Sequence, residues 1–139
     1  MNNKKAVRFE ANVAAGESKK LTREIDEPAT VEQCTVRFYR GPELAVEVRP
    51  LRIPDNGNGR PQPLVDIVGS ESIIGDGDKW VFDISEPVEK GDELEMQVEN
   101  TASADPNVDL SYTVIIDLSL DREGGLLRPF RGILGRLLN

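Results

Sequence analysis

TVEQCTVRFYR, residues 30–40, alternates with a period of two: Cys34, Val36 and Phe38 fall on one side, Thr35, Arg37 and Tyr39 on the other. Successive side chains point to opposite faces in an extended strand, so the pattern predicts a strand with one buried and one solvated face. Tyr39, out of phase with the apolar set, is expected to be exposed. Downstream, Arg40-Gly41-Pro42 turns the chain, and Leu44, Val46 and Val48 alternate with Ala45, Glu47 and Arg49. At Pro50 the apolar phase moves by one residue, to Leu51 and Ile53. Proline has no N–H to donate to a ladder, so a bulge or an edge strand is expected there. Upstream, Val7, Phe9, Ala11 and Val13 share one face; after the turn Ala15-Gly16-Glu17, Leu21, Arg23 and Ile25 continue the alternation until Glu27-Pro28.

The second half reads the same way. PDNGNGRPQP, residues 54–63, is the strongest loop signal in the chain; it is either a plain connector or a contact loop at the tip of the domain. Leu64 to Val68 reads as a short buried strand, and Ile73-Ile74 precedes the turn Gly75-Asp76-Gly77-Asp78. Trp80, Phe82 and Ile84 then alternate with Lys79, Val81, Asp83 and Ser85 and are expected to point inward. Leu94, Met96 and Val98 alternate with Glu93, Glu95, Gln97 and Glu99, which makes an acidic outer face. The last strand runs through Leu110, Tyr112, Val114, Ile116, Leu118 and Leu120. Eight or nine strands with turns every 8–12 residues, and no helix between them, predict an all-β antiparallel sandwich, jelly-roll-like or immunoglobulin-like. Parallel βαβ folds are excluded because each crossover needs a dozen or more residues. The expected core holds Phe9, Val36, Phe38, Val46, Trp80, Phe82, Leu94, Val98, Tyr112, Val114 and Ile116.

The chain has 139 residues, one domain's worth, with 25 acidic and 17 basic residues and a formal net charge of −8. Negative charge argues against nucleic-acid binding, which needs cationic groups to replace phosphate counterions. Arg outnumbers Lys 11 to 6, and acid excess with few lysines fits either a protein adapted to salt or an ordinary acidic protein. No histidine is present, which removes the usual general base and the commonest zinc ligand. The lone Cys34 allows no intrachain disulfide, and its inward phase marks it as a small buried apolar residue rather than a reactive thiol. MNNKKAVRFE at the start has no apolar h-region, so a secretory signal is not expected. No apolar run approaches the ~20 residues of a membrane helix.

Catalytic constellations are therefore scarce. Without histidine, Ser–His–Asp and Cys–His arrangements cannot form within the chain, and neither a P-loop nor GxGxxG occurs. Glu93, Glu95 and Glu99 read as a solvated face rather than as paired catalytic carboxylates. Asp76 and Asp78, or Asp105, Asn107 and Asp109, offer oxygen ligands of the kind calcium prefers; ordinary turn chemistry explains them as well. The expectation is no enzyme activity, no cofactor and no metal.

The tail differs from the body. LLRPFRGILGRLLN, residues 126–139, has three arginines and no acid, and removing its +3 from the net −8 leaves −11 on residues 1–125. As a short helix it would align Phe130, Ile133, Leu134, Leu137 and Leu138, with Pro129 at a first helical position. Gly132 and Gly135 weaken such a helix. The chain thus divides into a sandwich domain, residues 1–122, and a basic apolar tail, residues 123–139. The tail could fold back on its own sandwich, dock on a neighbouring protein or lie on a membrane surface.

Two stretches, VAAGESKKLTREIDEPATVEQCTVRFYRGPELAVEVRP (13–50) and KWVFDISEPVEKGDELEMQVENT (79–101), carry a resemblance. A Gly turn, an EPATV strand start, an RFYRGPEL hairpin and a later W-x-F-D-I … V-x-K-G-D-x-L pair ending in ENT resemble small jelly-roll virion structural proteins of tailed viruses and proviruses, including haloarchaeal ones. The resemblance covers roughly residues 6–120 and brings no catalytic residues with it. It implies a structural component of a tailed-virus particle, such as a capsid decoration, neck, tail or fibre protein. Such a protein is assembled in the host cytoplasm, homo-oligomeric, partnered by other virion proteins, and bound to neither nucleic acid nor membrane. The expected interface is the tail: Leu126, Leu127, Arg128, Phe130, Arg131, Ile133, Leu134, Arg136, Leu137 and Leu138. The alternative is a non-catalytic carbohydrate- or calcium-binding sandwich module.

Overall fold

A computed structural model describes residues 4–39, 45–55, 60–65 and 72–122. Among them are nine strands and no helix: β1 (Lys4–Val13), β2 (Ser18–Glu24), β3 (Ala29–Phe38), β4 (Val46–Ile53), β5 (Gln62–Pro63), β6 (Ile73–Ile74), β7 (Lys79–Val88), β8 (Glu93–Asn100) and β9 (Tyr112–Asp121). All pairings are antiparallel. One sheet has the order β1-β9-β3-β7; the other runs β2-β8-β4-β5, with β6 also pairing β4.

The pairings nest. β1 pairs β9, β2 pairs β8, β3 pairs β7, and β4 pairs the short β5 and β6. This is one long hairpin rolled up so that β9 also meets β3 and β8 also meets β4. Successive long strands therefore alternate between sheets, which is the connectivity of a jelly roll. The period-two pattern is the cause. Each long strand has one apolar face, and rolling the hairpin turns every such face into a single seam.

The seam is mainly aliphatic. Val13, Val31, Cys34, Val36, Val48, Val88, Leu94, Met96, Val114 and Ile116 are fully buried. Each fully buried Val, Leu or Ile side chain contributes roughly 1.5–3 kcal/mol before chain entropy is set against it, so few aromatics are needed. Trp80 departs from the expected core: it remains 43% exposed, and Phe82, Ile84 and Tyr112 are only partly buried. The phase was read correctly, since Trp80 pairs Val36 and Phe82 pairs Cys34. However, β7 is the edge strand of its sheet, and the second sheet ends in β5 and β6, two residues each. Among the described residues too little of the second sheet lies opposite to cover that edge.

The proline reading is also corrected. β4 pairs β8 in unbroken register from Val46↔Asn100 to Ile53↔Glu93, with Pro50 opposite Met96. β4 is an inner strand, and Pro50 is buried in the inward phase. The missing N–H is tolerated because β6 reaches only Glu47 and Val48 while β5 reaches only Leu51 and Arg52. Pro50 sits between the two, and its carbonyl accepts from Leu64 N–H at 3.0 Å. The register shift lies on β3 instead, between Val31 and Gln33. Against β9, Glu32 is one residue extra, so Val31 and Cys34 both face the core although three positions separate them. Of the expected strand over residues 64–68, Leu64 and Val65 are buried but follow β5 rather than form a strand, and residues 66–68 lie outside the described set. Gln62 and Pro63, assigned to the loop from sequence, pair β4. Leu110 precedes β9, which begins at Tyr112.

Three glycines where the chain crosses between sheets have positive φ: Gly16 (φ 77°) after β1, Gly77 (φ 68°) before β7 and Gly91 (φ 94°) after β7. L side chains pay about 1–2 kcal/mol for that conformation. A Cβ at Gly91 would also lie 2.4 Å from Asp55 Oδ2, whereas Gly16 has open space around it. Gly16→Ala is expected to lower the unfolding free energy by about 1–2 kcal/mol, and Gly91→Ala by more, because Asp55 must also move. Urea unfolding of the two variants measures the difference directly; equal midpoints would mean that the Asp55 contact costs nothing to displace.

Candidate functional site

At one end of the sandwich a polar cluster joins four segments. Arg52 stands in the inward phase of β4, opposite Leu94, and its Nε and one Nη lie 2.9 Å from Asp92 Oδ2. Its other Nη reaches Glu86 Oε1 at 3.2 Å and Gln62 Oε1 at 3.4 Å. Asp92 is buried and also accepts the N–H groups of Glu89 (2.8 Å) and Asp55 (3.1 Å). Burial pushes the Asp92 carboxyl up, but those two N–H groups and the Arg52 guanidinium outweigh it and hold the carboxyl below the ordinary range. Both carboxylate oxygens are engaged, so Asp92 has the geometry of a structural anchor rather than of an acid or base.

A folded-state pKa below the unfolded one gives stability that is full above the ordinary Asp value near 3.8 and is lost as pH falls through the lower folded value. Asp92→Asn is therefore expected to flatten the acid limb of the stability curve below about pH 4. Asp92→Ala is expected to cost on the order of 3 kcal/mol near neutral pH, because Arg52 keeps only Glu86 as an ionic partner. Urea titrations at a series of pH values check both.

At the other end, Asn100 is fully buried and plays the same role with a neutral group. Its Nδ2 donates to the carbonyls of Val13 (3.0 Å) and Leu110 (2.7 Å), and its Oδ1 accepts Ala102 N–H. The outer face of the β1-β9-β3-β7 sheet is stitched across strands by a bidentate Arg8–Asp117 pair at 2.7 and 3.0 Å and by Asn12–Thr113 and Gln33–Asp83 hydrogen bonds. On the other outer face, Lys20, Gln97 and Arg49 form one row and Ser18, Glu99 and Glu47 the next, lining a shallow polar cleft.

The oxygen-rich turns singled out from sequence have local work. Asp105 accepts Asn107 N–H and Asp109 accepts Ser111 N–H, each two residues on, as Asx turns do, and Asp78 accepts the N–H of Asp76, two residues before it. Among the described residues no three His, Cys, Asp or Glu side chains gather to hold a metal ion. The tail residues expected to form the interface, Leu126, Leu127, Arg128, Phe130, Arg131, Ile133, Leu134, Arg136, Leu137 and Leu138, lie outside the described residues. Arg122, just before them, pairs with Glu27.

Cys34 is fully buried, as its phase indicated. Burial, with a smaller contribution from the Asp117 charge, pushes its thiol up to about 12. The native protein is expected not to react with a thiol reagent at pH 8 and to react at once in strong denaturant, so labelling rate reports unfolding; fast native labelling would contradict this burial.

The feature that sequence reading missed is the edge formed by β7. Trp80 and Val81 are 43% and 50% exposed, and Tyr39 (47%) and Ile74 (39%) stand nearby. The Trp80 indole Nε1 packs against Gly75, and its ring stacks on Phe82 with centroids 6.4 Å apart. Lys79, Arg37 and Tyr39 flank this apolar group on the outer face. The signal was present in the sequence as Trp-Val-Phe, apolar on both faces of one strand.

No protein-family model and no curated protein matches the chain. Solved structures match its fold weakly. The Aeromonas hydrophila PliG structure, a periplasmic inhibitor of g-type lysozyme, is 12% identical over 84% of this chain and 86% of that one, with a TM-score of 0.43. A chain of infectious bursal disease virus, Gx strain, is 9% identical over 88% of this chain and 32% of its own, with a TM-score of 0.49. Desmodium yellow mottle tymovirus gives 11%, 87% and 89%, with a TM-score of 0.33. This chain thus spans most of the first and third and about a third of the second. Chains of virus particles are among these neighbours, and at such low identity the likeness concerns β-sandwich architecture alone.

Proposed function

We propose that the protein is a structural component of a virus particle, an acidic jelly-roll subunit that works by protein–protein assembly and has no catalytic role. The observation that carries this reading is the edge of β7, beside which no described strand lies. Among the described residues three of the four sheet edges are short or mostly charged, whereas this one exposes the apolar Trp80 and Val81 between Lys79 and Asp83. A sandwich of this kind with no histidine in its chain is better equipped to adhere than to catalyse. Net charge of −8 keeps free subunits apart in solution until a specific contact forms. The resemblance of residues 13–50 and 79–101 to jelly-roll virion proteins supports a place on a tailed-virus particle, as decoration, neck, tail or fibre protein, with other virion proteins as partners.

An antibody raised against the purified chain tests this. Density-purified virus particles from the source culture are expected to carry the protein in constant ratio to the major capsid protein. Immunogold labelling is expected to place it at one site on the particle. A protein found only in the unassembled cell fraction would overturn the reading.

A further inference from the structure

We propose that the β7 edge is an isologous interface in which a second copy of this chain pairs strand to strand, with the two-fold axis at Val81. This deepens the assembly reading by naming the partner, and it rests on that reading only for its biological setting.

The other edges are guarded. β2, at one end of the second sheet, exposes Lys19, Lys20, Arg23 and Glu24, and β5, at the other, has two residues, one of them Pro63. β1 exposes Lys4, Arg8, Glu10 and Asn12. Charges, proline and brevity are how sheet edges avoid pairing with other chains. β7 carries charges as well, at Lys79, Asp83 and Glu86, with Pro87 near its end, but Trp80 and Val81 between the first two are apolar and exposed.

The backbone is set for pairing. Phe38 N–H donates to Asp78 C=O at 2.8 Å, and Val36 lies opposite Trp80 and Cys34 opposite Phe82. Bonded and non-bonded pairs alternate along an antiparallel ladder. Residues 78, 80 and 82 therefore turn their N–H and C=O groups toward β3, and Lys79, Val81 and Asp83 turn theirs outward. Among the described residues nothing pairs with β7 on that side.

The side chains then select the register. With the axis at Val81, the outward groups of Val81 meet those of Val81 in the second copy. Lys79 falls opposite the second copy's Asp83, and Asp83 opposite its Lys79, on the outer face. On the inner face Trp80 falls opposite Phe82 of the second copy, and the reverse. Across residues 79–83 each opposed pair is favourable: two of opposite charge, two aromatic and one of β-branched residues. Moving the axis by one residue sets Lys79 opposite Val81 or Ser85 and loses both charge pairs. A self-complementary strand is what an isologous two-fold contact requires, and the result joins two sheets into one of eight strands.

The test is the solution mass of the full chain by light scattering, with circular dichroism to verify folding of every variant. The wild type is expected to be dimeric at tens of micromolar. Lys79→Asp sets acid against acid twice, and Asp83→Lys sets base against base twice; each alone is expected to weaken dimerisation roughly tenfold or more. An equal mixture of the two variants opposes Asp to Lys at both positions and is expected to restore the dimer as a heterodimer. A monomeric wild type, a dimer indifferent to either substitution, or a mixture that stays monomeric would each overturn the proposal. None of these bears on whether the protein is found in particles, so failure here is separable from failure of the virion reading.

Discussion

Burial of one face of β3 is the constraint from which the rest of the structure follows. β3 lies inside its sheet with β9 on one side and β7 on the other, and its Cys34 and Val36 have no exposure. Both faces of a strand cannot be apolar-buried and solvated at once, so the second sheet must close over the Val31–Cys34–Val36–Phe38 side. The register shift at Glu32 allows this. Without one extra residue relative to β9, either Val31 or the run from Cys34 to Phe38 would face water.

Closing a rolled hairpin leaves backbone groups stranded at the corners, and two buried polar side chains take them up. Asn100 collects carbonyls where β1, β8 and the segment before β9 converge; Asp92 collects N–H groups where β7 turns into β8. The chemistry matches the need, since an amide donates to carbonyls and a carboxylate accepts from N–H groups. Only the carboxylate brings a charge, and Arg52 is drawn into the end of the sandwich to meet it. Among the described residues no buried side-chain nitrogen or oxygen lacks a partner.

The same economy explains where function is expected. A sandwich has four sheet edges, and solubility demands that each be disarmed. Among the described residues three are short or mostly charged, and the fourth keeps an open ladder with Trp80, Val81 and Phe82 between Lys79 and Asp83. Among the described residues the chain between β4 and β7 contributes two short pieces of strand to the facing sheet, too little to cover it. An apolar edge left open by the way the hairpin rolls up becomes the natural place for another chain.

Much of the fold was legible in the sequence because a strand's face is set locally. The alternations in 7–13, 34–38, 94–98 and 112–120 read directly as β1, β3, β8 and β9, and Cys34 as buried. Glycine at 16 marked a corner for an equally local reason, the positive φ that it requires. Pro50 misled because proline argues against an inner strand only if a neighbour needs its N–H, and the gap between β5 and β6 removes that need. Trp80 misled because alternation reports which way a side chain points, not what stands opposite. The residues themselves determined an acidic all-β sandwich and the inward phase of nearly every strand. Only the tertiary arrangement decided which strands became edges, and so which inward residues stayed exposed, because edges are products of pairing between segments far apart in the chain.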